Sequence, residues 1–218
     1  MYDLYFWTTP NGYKPLLMLE EINATYELKS INIGKDEQFE PSFLKIAPNN
    51  RIPALVDSAP SEGSGPQSVF ESGAILTYLA EKSGQFMPST LAGRTQAMEW
   101  LMWQMGGLGP MAGQTHHFLL AAKEQVPYAI ERYTKECQRL YGVLDRHLAT
   151  QPYLASEYSI ADMATYPWVW RHARHRVDLN DFPHVQKWFQ TISERPAVAR
   201  ASARGATINP GAETLLPS

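Results

Sequence analysis

The sequence predicts a mixed α/β domain over residues 1–84 followed by an all-helical domain over residues 92–205. Two observations predict this division. Up to residue 82, the patterns run strand, helix, strand, short helix, strand, strand, helix. After Ser83-Gly84, apolar side chains recur at helical spacing with no convincing strand between them. The Gly- and Pro-containing residues 206–218 predict a flexible tail.

The first half of the α/β domain is predicted as strand, helix and strand. The aromatic-rich residues 2–7 predict a buried strand. A turn over residues 8–12 leads into a helix that is apolar nearly all round at residues 16–19, so it should be covered on several sides. Pro15 fits that helix only in its first turn. Residues 26–31 alternate in period two, as a second strand does.

The second half contains the most informative stretch of the chain. Residues 52–56 are a short apolar run opened by Pro53, which predicts a strand whose first residue cannot donate to the sheet. Glu71 and Ser72 directly precede an apolar pattern at helical spacing, which predicts a helix start. A strand opened by proline beside a helix N-terminus can hold a peptide and one of its carboxylates. These residues predict a site for a small anionic peptide.

The all-helical domain shows helical spacing over residues 95–105 and 125–148. Residues 159–162 (Ser-Ile-Ala-Asp) form a capping box that predicts a further helix start. Pro183 and Pro196 indicate the starts of two more helices.

Composition excludes several classes of protein. The chain has 218 residues and a net charge of −3 with no basic stripe, so nucleic acid is not an expected partner. No apolar run has the roughly 18–20 residues needed to cross a bilayer, and no secretory signal is expected. The single cysteine, Cys137, excludes an internal disulfide framework and favours a reducing, cytoplasmic compartment.

Several phrases of the sequence, in order, resemble a known family. "PNNRIPALVD" followed by "VFESGAILTYLAEKSG" is similar to the glutathione-binding half of cytosolic glutathione transferases. With "TPNGYKPLLMLEE" and "WQMGGLGPMAGQTHHF", the sequence resembles the bacterial Nu class over roughly residues 2–200. The resemblance implies a thioredoxin-like N-terminal domain, an all-helical C-terminal domain, a homodimer, and a site for glutathione or glutathione disulfide.

The turn over residues 8–12 contains no cysteine. In thioredoxin-like redox proteins this junction carries Cys-x-x-Cys, so exchange through the protein's own sulfurs is excluded at this position. The resemblance implies that Thr9 and Asn11 stabilise the thiolate of glutathione instead. Lowering a thiol pKa by about two units requires about 2.7 kcal/mol, which a few hydrogen bonds and a helix dipole can supply. An ordinary Asn-Gly turn is the alternative interpretation.

The resemblance assigns the other glutathione contacts as follows. The Ile52-Pro53 bond is expected to be cis and to pair with the cysteinyl unit. Ser72 is expected to hold the γ-glutamyl carboxylate and Glu71 its ammonium group; from local sequence alone, Ser72 is a plain helix cap and Glu71 a solvated acid. Two weaker assignments are Gln38, near the glycyl carboxylate, and Arg51, which could equally be a surface charge.

Four further residues, all in the predicted helical domain, could belong to a site or to ordinary structure. The resemblance places Arg132 at a second glutathione, whereas an ion pair with Glu131 or Glu136 is the alternative. His116 and His117 are adjacent and face different directions, so they do not form a chelating pair, and no metal site is predicted. They could line a second-substrate pocket or equally belong to a polar helix end. Cys137 lies on the apolar stripe of its helix and is expected to be buried and inert.

The sequence therefore favours an enzyme that uses glutathione to reduce a small-molecule or peptide disulfide, with possible action on hydroperoxides. A conventional transferase that conjugates glutathione to an electrophile is the alternative. A non-catalytic glutathione-binding regulatory protein is the third possibility.

Overall fold

The structure, a computed structural model, describes residues 1–63 and 65–215. The chain forms two compact units. Unit 1 contains residues 1–87 together with the chain from Glu194 onward, and unit 2 contains Pro88–Ser193. The helices, in chain order, are α1 (Pro10–Glu21), α2 (Pro41–Leu44), α3 (Ser72–Ser83), α4 (Leu91–Trp103), α5 (Gly109–His116), α6 (Pro127–Leu148), α7 (Ile160–Val169), α8 (Pro183–Ser193) and α9 (Pro196–Ile208).

The described part of unit 1 contains a four-stranded mixed sheet. Its strands are β1 (Tyr2–Phe6), β2 (Tyr26–Ser30), β3 (Ala54–Asp57) and β4 (Gln67–Phe70), in the spatial order β2-β1-β3-β4. β1 and β2 are parallel, and the two other pairs are antiparallel. This order of elements and the predicted thioredoxin-like fold are confirmed.

Helix α1 is the most enclosed element of unit 1. Every residue from Gly12 to Leu19 is buried, and the helix packs against β1, α3 and α9. The prediction of a helix covered on several sides is confirmed. The expectation for Pro15 was wrong, because the helix begins at Pro10 and Pro15 lies in its second turn. Thr9 caps the helix through its side chain, and Pro10 supplies the first helical residue.

The last described residues belong to unit 1. α9 packs on α1, and adding a Cβ atom to Gly205 would place it 2.3 Å from the Tyr13 hydroxyl oxygen. The Asn209 amide donates to Thr8 Oγ1 at 2.8 Å, and Leu215 is fully buried with its N–H donating to Ser202 Oγ. The compact units divide the chain differently from the predicted domains: residues 194–205 belong to unit 1, and helix α9 extends past residue 206. The part of the predicted tail at 216–218 lies outside the described residues.

Unit 2 is helical throughout its described elements. Between α4 and α6, the helical path passes through two π-helical segments, Gln104–Leu108 and His117–Ala121, on either side of α5. The predicted capping box is confirmed at the start of α7, where the side chains and backbones of Ser159 and Asp162 pair reciprocally. Within the described residues, no helix has the length and apolar character needed to cross a membrane.

Asp162 organises the buried polar groups around the start of α7. Its side chain is fully buried and accepts hydrogen bonds from Leu154 N, Ser159 N and Trp188 Nε1, at 2.9–3.0 Å. These bonds tie the loop before α7, the helix itself and α8 to one carboxylate.

We expect Asp162→Ala to lower the unfolding free energy by about 3 kcal/mol or more, because each buried donor left unpaired costs about 1–3 kcal/mol. Urea titration measures this. Asp178→Ala is the matched control, since the exposed Asp178 caps only the short turn at Asn180 and should cost about 1 kcal/mol or less. A loss equal to that of the control would contradict the role given to Asp162.

Candidate functional site

The predicted site segments of unit 1 lie at one end of the strands of the sheet. Tyr5 in β1 pairs with Ala54 in β3, and Ala54 pairs with Phe70 in β4. The residues that follow Tyr5, precede Ala54 and follow Phe70 therefore lie side by side. The Thr9–Asn11 turn follows β1. The Ile52-Pro53 bond directly precedes β3, and the Glu71-Ser72 junction follows β4. β2 terminates at the same end of the sheet, with Ser30 opposite Phe6, and leads towards Gln38.

The turn between β1 and α1 is held by its own backbone and by Thr9. Thr9 Oγ1 accepts a hydrogen bond from the Gly12 N–H at 3.1 Å. A hydroxyl has one proton to donate and two lone pairs to accept with. Because the Gly12 N–H occupies an acceptor position, the Thr9 proton remains available to a ligand. Asn11 follows in the first turn of α1, half-buried.

Gly12 is required by the close approach of α1 to β1. A Cβ atom at this position would lie 2.2 Å from the carbonyl oxygen of Trp7 and 3.3 Å from the ring of Phe6. Both neighbours are fixed, one as backbone and the other as a buried side chain. The glycine therefore sets how deeply the start of the helix sits against the strand, and so where Thr9 and Asn11 lie.

The Ile52-Pro53 bond is cis, as the family resemblance implied. It directly precedes β3, whose first residue, Ala54, is fully buried. The prediction of a strand opened by proline is confirmed in this form, with the regular strand starting one residue after Pro53.

Helix α3 begins at Ser72, which is 3% exposed. The preceding residue, Glu71, has φ = 71° and ψ = 118°, an unusual backbone conformation for a residue with a side chain, and its side chain makes no capping hydrogen bond. The first N–H groups of a helix have no partner within it and carry a partial positive charge. The start of α3 thus presents the Ser72 hydroxyl and backbone donors without a capping carboxylate.

Lys14 is a buried cation that the sequence analysis did not identify. It lies on α1, is 1% exposed, and its Nζ is 3.4 Å from Ser72 Oγ. Burial lowers its pKa from 10.5 to about 7, and the nearby Glu71 carboxylate acts in the opposite direction. The only sequence signal is a lysine that directly precedes the fully apolar part of a helix.

Gln38 lies in the connection that follows β2, and Arg51 directly precedes the Ile52-Pro53 bond. Gln38 is 8% exposed; its Nε2 donates to Asp36 Oδ1 at 3.4 Å, while its Oε1 is buried without a partner among the described residues. Arg51 is exposed and donates to the carbonyl oxygen of Asn50.

Arg132 lies on α6 in unit 2, where it is exposed and lines a pocket of about 590 Å³. The two acids considered as its partners are engaged elsewhere: Glu131 pairs with Lys135, and Glu136 pairs with Arg139 at 2.7 Å. Among the described residues Arg132 makes no ion pair within 4 Å, although its charge contributes to the lowered pKa of Glu136. These two ion pairs also line the pocket, together with Met111, Tyr128 and Tyr133.

The two adjacent histidines of unit 2 contact different neighbours. The His116 ring lies 6.4 Å from that of His175, and the His117 ring lies 5.1 Å from Phe118. Burial lowers the pKa of His175 to about 3, so this ring is neutral near pH 7. The described residues contain no group of three or more side chains arranged to bind a metal ion.

Cys137 is fully buried on α6. Burial raises the pKa of its thiol to about 12, and the Thr115 hydroxyl nearby opposes this only in part. A thiol that stays protonated and out of reach of solvent is a poor nucleophile. The expected burial of Cys137 is confirmed.

Comparison with known proteins identifies the family. A model of the glutathione S-transferase N-terminal domain matches residues 2–81, and a model of the C-terminal domain matches residues 109–196. The chain belongs to the glutathione S-transferase family. The membership predicted from sequence phrases is confirmed.

Three members of the family are similar to this chain over most of its length. Disulfide-bond oxidoreductase YfcG of Escherichia coli K12 is 53% identical, with 92% of this chain and 94% of the relative covered. A Pseudomonas putida glutathione transferase, solved with one glutathione disulfide per subunit, is 44% identical, with 92% and 90% coverage and a TM-score of 0.88. A Pseudomonas fluorescens family member, solved with two glutathione molecules bound, is 42% identical, with 92% and 91% coverage and a TM-score of 0.87.

Most predicted site residues of this glutathione S-transferase family member therefore lie in the segments that follow β1, β2 and β4 or precede β3. They are Thr9, Asn11, Gln38, Arg51, Ile52, Pro53, Glu71 and Ser72. Arg132 belongs to unit 2. Sequence reasoning missed Lys14 and the Asn209–Thr8 hydrogen bond, because both depend on contacts between residues distant in sequence.

We expect Lys14→Met to stabilise the protein below pH 7. The pKa of Lys14 is lower in the folded protein than in the unfolded one. The cost of burying its charge therefore reduces stability in full below about pH 7. This cost disappears as pH rises towards 10.5. The difference corresponds to about 5 kcal/mol at most. The gain in unfolding free energy over the wild type should shrink between pH 7 and 10.

Urea titrations at pH 6, 7.5 and 9 measure this gain. Lys45→Met is the matched control, since Lys45 is exposed at the end of α2 and should give a small, pH-independent change. A Lys14→Met variant less stable than the wild type at pH 6 would contradict the expectation.

Proposed function

We propose that this protein is a glutathione-dependent disulfide-bond oxidoreductase in which glutathione supplies the attacking thiolate. The observation that carries the proposal is the turn at the start of α1: it contains Thr9, whose Oγ1 caps the helix, and Asn11 where no cysteine is present. Cys137, the only cysteine of the chain, is buried and protonated.

The reaction proceeds by two thiol–disulfide exchanges. The thiolate of one glutathione attacks a sulfur of the substrate disulfide, forms a mixed disulfide, and releases the other half as a thiolate that takes up a proton. A second glutathione thiolate attacks the glutathione sulfur of the mixed disulfide and releases the second thiol. One disulfide and two glutathiones thus give two thiols and glutathione disulfide.

The enzyme's part is to hold glutathione as a thiolate. Hydrogen bonds to a charged acceptor contribute about 1.5–3 kcal/mol each. Donors from Thr9 and Asn11, with the N-terminal dipole of α1, suit this task. The proposed role of both residues is therefore to favour the ionised form of the bound thiol.

The remaining predicted residues hold the rest of the tripeptide. In this proposal the backbone beside the Ile52-Pro53 bond pairs with the cysteinyl unit, and Glu71 and Ser72 hold the γ-glutamyl ammonium and carboxylate. Gln38 and Arg51 lie towards the glycyl end. Arg132 contacts a second glutathione or its carboxylate.

The relatives support this assignment. The E. coli relative is named a disulfide-bond oxidoreductase, and the two Pseudomonas structures hold one glutathione disulfide or two glutathiones. We propose further that the protein acts in the cytoplasm and forms a homodimer through the aromatic-rich α4, where the rings of Trp100 and Trp103 lie 5.0 Å apart. Light scattering at micromolar concentration measures the oligomeric state.

We expect Asn11→Ala to lower glutathione-dependent reduction of a model disulfide by about 10- to 100-fold, the effect of one lost hydrogen bond to a charged group. The fold should survive, since Asn11 is half-buried and precedes the fully buried stretch of α1 that begins at Gly12. Turnover and thermal midpoint are measured together, with Asn180→Ala, an exposed amide of unit 2, as the control.

A conjugation assay with a model aryl halide, run in parallel, distinguishes the proposed activity from a conventional transferase. Aryl halide turnover faster than disulfide turnover would favour the transferase. Unchanged disulfide turnover in Asn11→Ala would remove Asn11 from the site.

We expect Cys137→Ala to retain near-parental disulfide reduction, because no protein sulfur takes part in either exchange. A small loss of thermal stability should accompany the lost packing. Steady-state turnover with glutathione and a model disulfide measures the first effect. A variant that folds normally but no longer reduces disulfides would overturn the proposed source of the thiolate.

A further inference from the structure

Lys14 is the most unusual ionisable group in unit 1. A lysine is almost never fully buried unless it is paired, and Lys14 is 1% exposed on a helix buried along its middle turns. Its Nζ lies 3.4 Å from the hydroxyl of Ser72, the first residue of α3. The proposed exchange chemistry leaves this cation without a role.

Among the charged groups around α1, Glu71 is the carboxylate whose charge raises the pKa of Lys14. Asp57, beside α3, accepts from Lys82. On β1, Asp3 lies 3.7 Å from Lys29. Ion pairs with α9 engage the two acids at the end of α1 itself: Glu20 pairs with Arg200, and Glu21 pairs with Arg195.

The remaining charged groups near these elements lie away from the start of α3. Arg204 on α9 lies over the ring of Tyr26. Glu81 lies near the opposite end of α3 from Ser72.

We propose that Lys14 is a positioning residue for the γ-glutamyl end of glutathione, which turns the Ser72 hydroxyl towards the ligand carboxylate and takes up a proton when that carboxylate binds. The inference rests on the proposed function, since it requires the γ-glutamyl carboxylate to bind at Ser72.

The chemistry of the two side chains explains the orienting effect. A charged ammonium has three protons and no acceptor, so Ser72 can only accept from it and must direct its own proton elsewhere. A neutral amine has a lone pair, which allows the Ser72 hydroxyl to donate inward. When Lys14 is protonated, the Ser72 hydroxyl therefore directs its proton towards a ligand at the start of α3. When Lys14 is neutral, its Nζ can accept that proton instead.

The same geometry couples binding to protonation. A carboxylate that accepts from Ser72 brings a negative charge within one hydroxyl of Lys14 Nζ. An opposite charge within about 4–6 Å favours the charged form by about one to three pKa units. Because burial sets the pKa of the unliganded Lys14 to about 7, this change falls around neutral pH.

The affinity for an anionic ligand should therefore depend on pH. Below about pH 7, Lys14 is protonated with or without ligand, and affinity is at its maximum. As pH rises above 7, binding must take up a proton, so affinity falls by up to tenfold per pH unit until the ligand-bound pKa is reached. Anionic ligands should therefore bind more tightly at pH 6.5 than at pH 8.5, by about tenfold or more.

The test uses S-methylglutathione, which has no thiol to titrate. Calorimetric titrations of the full chain at pH 6.5, 7.5 and 8.5, in buffers of different ionisation enthalpy, give affinity and proton uptake. The wild type should take up a substantial fraction of a proton at pH 7.5–8.5. Lys14→Met should bind more weakly at pH 6.5 and show only the pH dependence of the ligand itself.

Two further measurements keep the outcome clear. Lys14→Arg stays charged throughout this range, so any binding it retains should be pH-independent apart from the ligand's contribution. The NMR signal of the Lys14 Cε in the wild type reports its protonation directly. It should titrate near neutral pH without ligand and at higher pH with S-methylglutathione, whether or not the variants fold.

The results separate the two proposals. Wild-type binding without proton uptake, or with a pH profile shared by Lys14→Met, would overturn the role of Lys14 and leave the glutathione site intact. Failure of the wild type to bind S-methylglutathione and glutathione at any pH would overturn the proposed function and the inference with it.

Discussion

The enclosure of α1 is the constraint on which the arrangement of unit 1 depends. The helix packs against β1, α3 and α9, and its buried stretch extends from Gly12 to Leu19. The absence of a side chain at Gly12 lets its first turn lie against the Trp7 carbonyl. A helix held on three sides cannot shift without disturbing all of its neighbours, so the groups in its first turn are held in place before any ligand arrives.

This rigidity suits the proposed site, in which neutral donors would favour an anion. Thr9 and Asn11 carry no charge, so their effect depends on direction and distance rather than on long-range attraction. The Thr9 oxygen is already fixed by the Gly12 N–H. Because this oxygen is held in place before a ligand arrives, little conformational entropy is lost when the Thr9 hydroxyl donates to the ligand. The same unit tolerates an unusual backbone conformation at Glu71, where α3 begins.

Lys14 lowers the stability of the fold but has a proposed role in ligand binding. A buried ammonium disfavours the folded state, and its removal should strengthen the fold. Its position beside Ser72 explains why such a residue is useful despite that cost. Sites that bind charged ligands commonly carry groups that are unfavourable without the ligand.

Sequence patterns were sufficient for the elements and insufficient for some of their contacts. Period-two and helical spacing predicted the strand and helix order through residue 82, and the Ser159–Asp162 capping box located the start of α7. Pro15 misled because proline disfavours a helix interior, yet burial on three sides outweighs that preference here. The burial of Lys14 could not be read from its neighbours in sequence, since α3 and α9, which pack around α1, lie far along the chain.

The position of α9 has a consequence for the order in which the protein is completed. Chains are synthesised from the N-terminus, and domains generally fold as units during synthesis. Unit 1 is not contiguous: its sheet is made first, whereas the helix that covers α1 and the Asn209 amide that binds Thr8 come after the whole of unit 2. The apolar surface of α1 thus stays uncovered by α9 until unit 2 has been synthesised. The turn that carries Thr9 and Asn11 acquires the Asn209 hydrogen bond to Thr8 only after that.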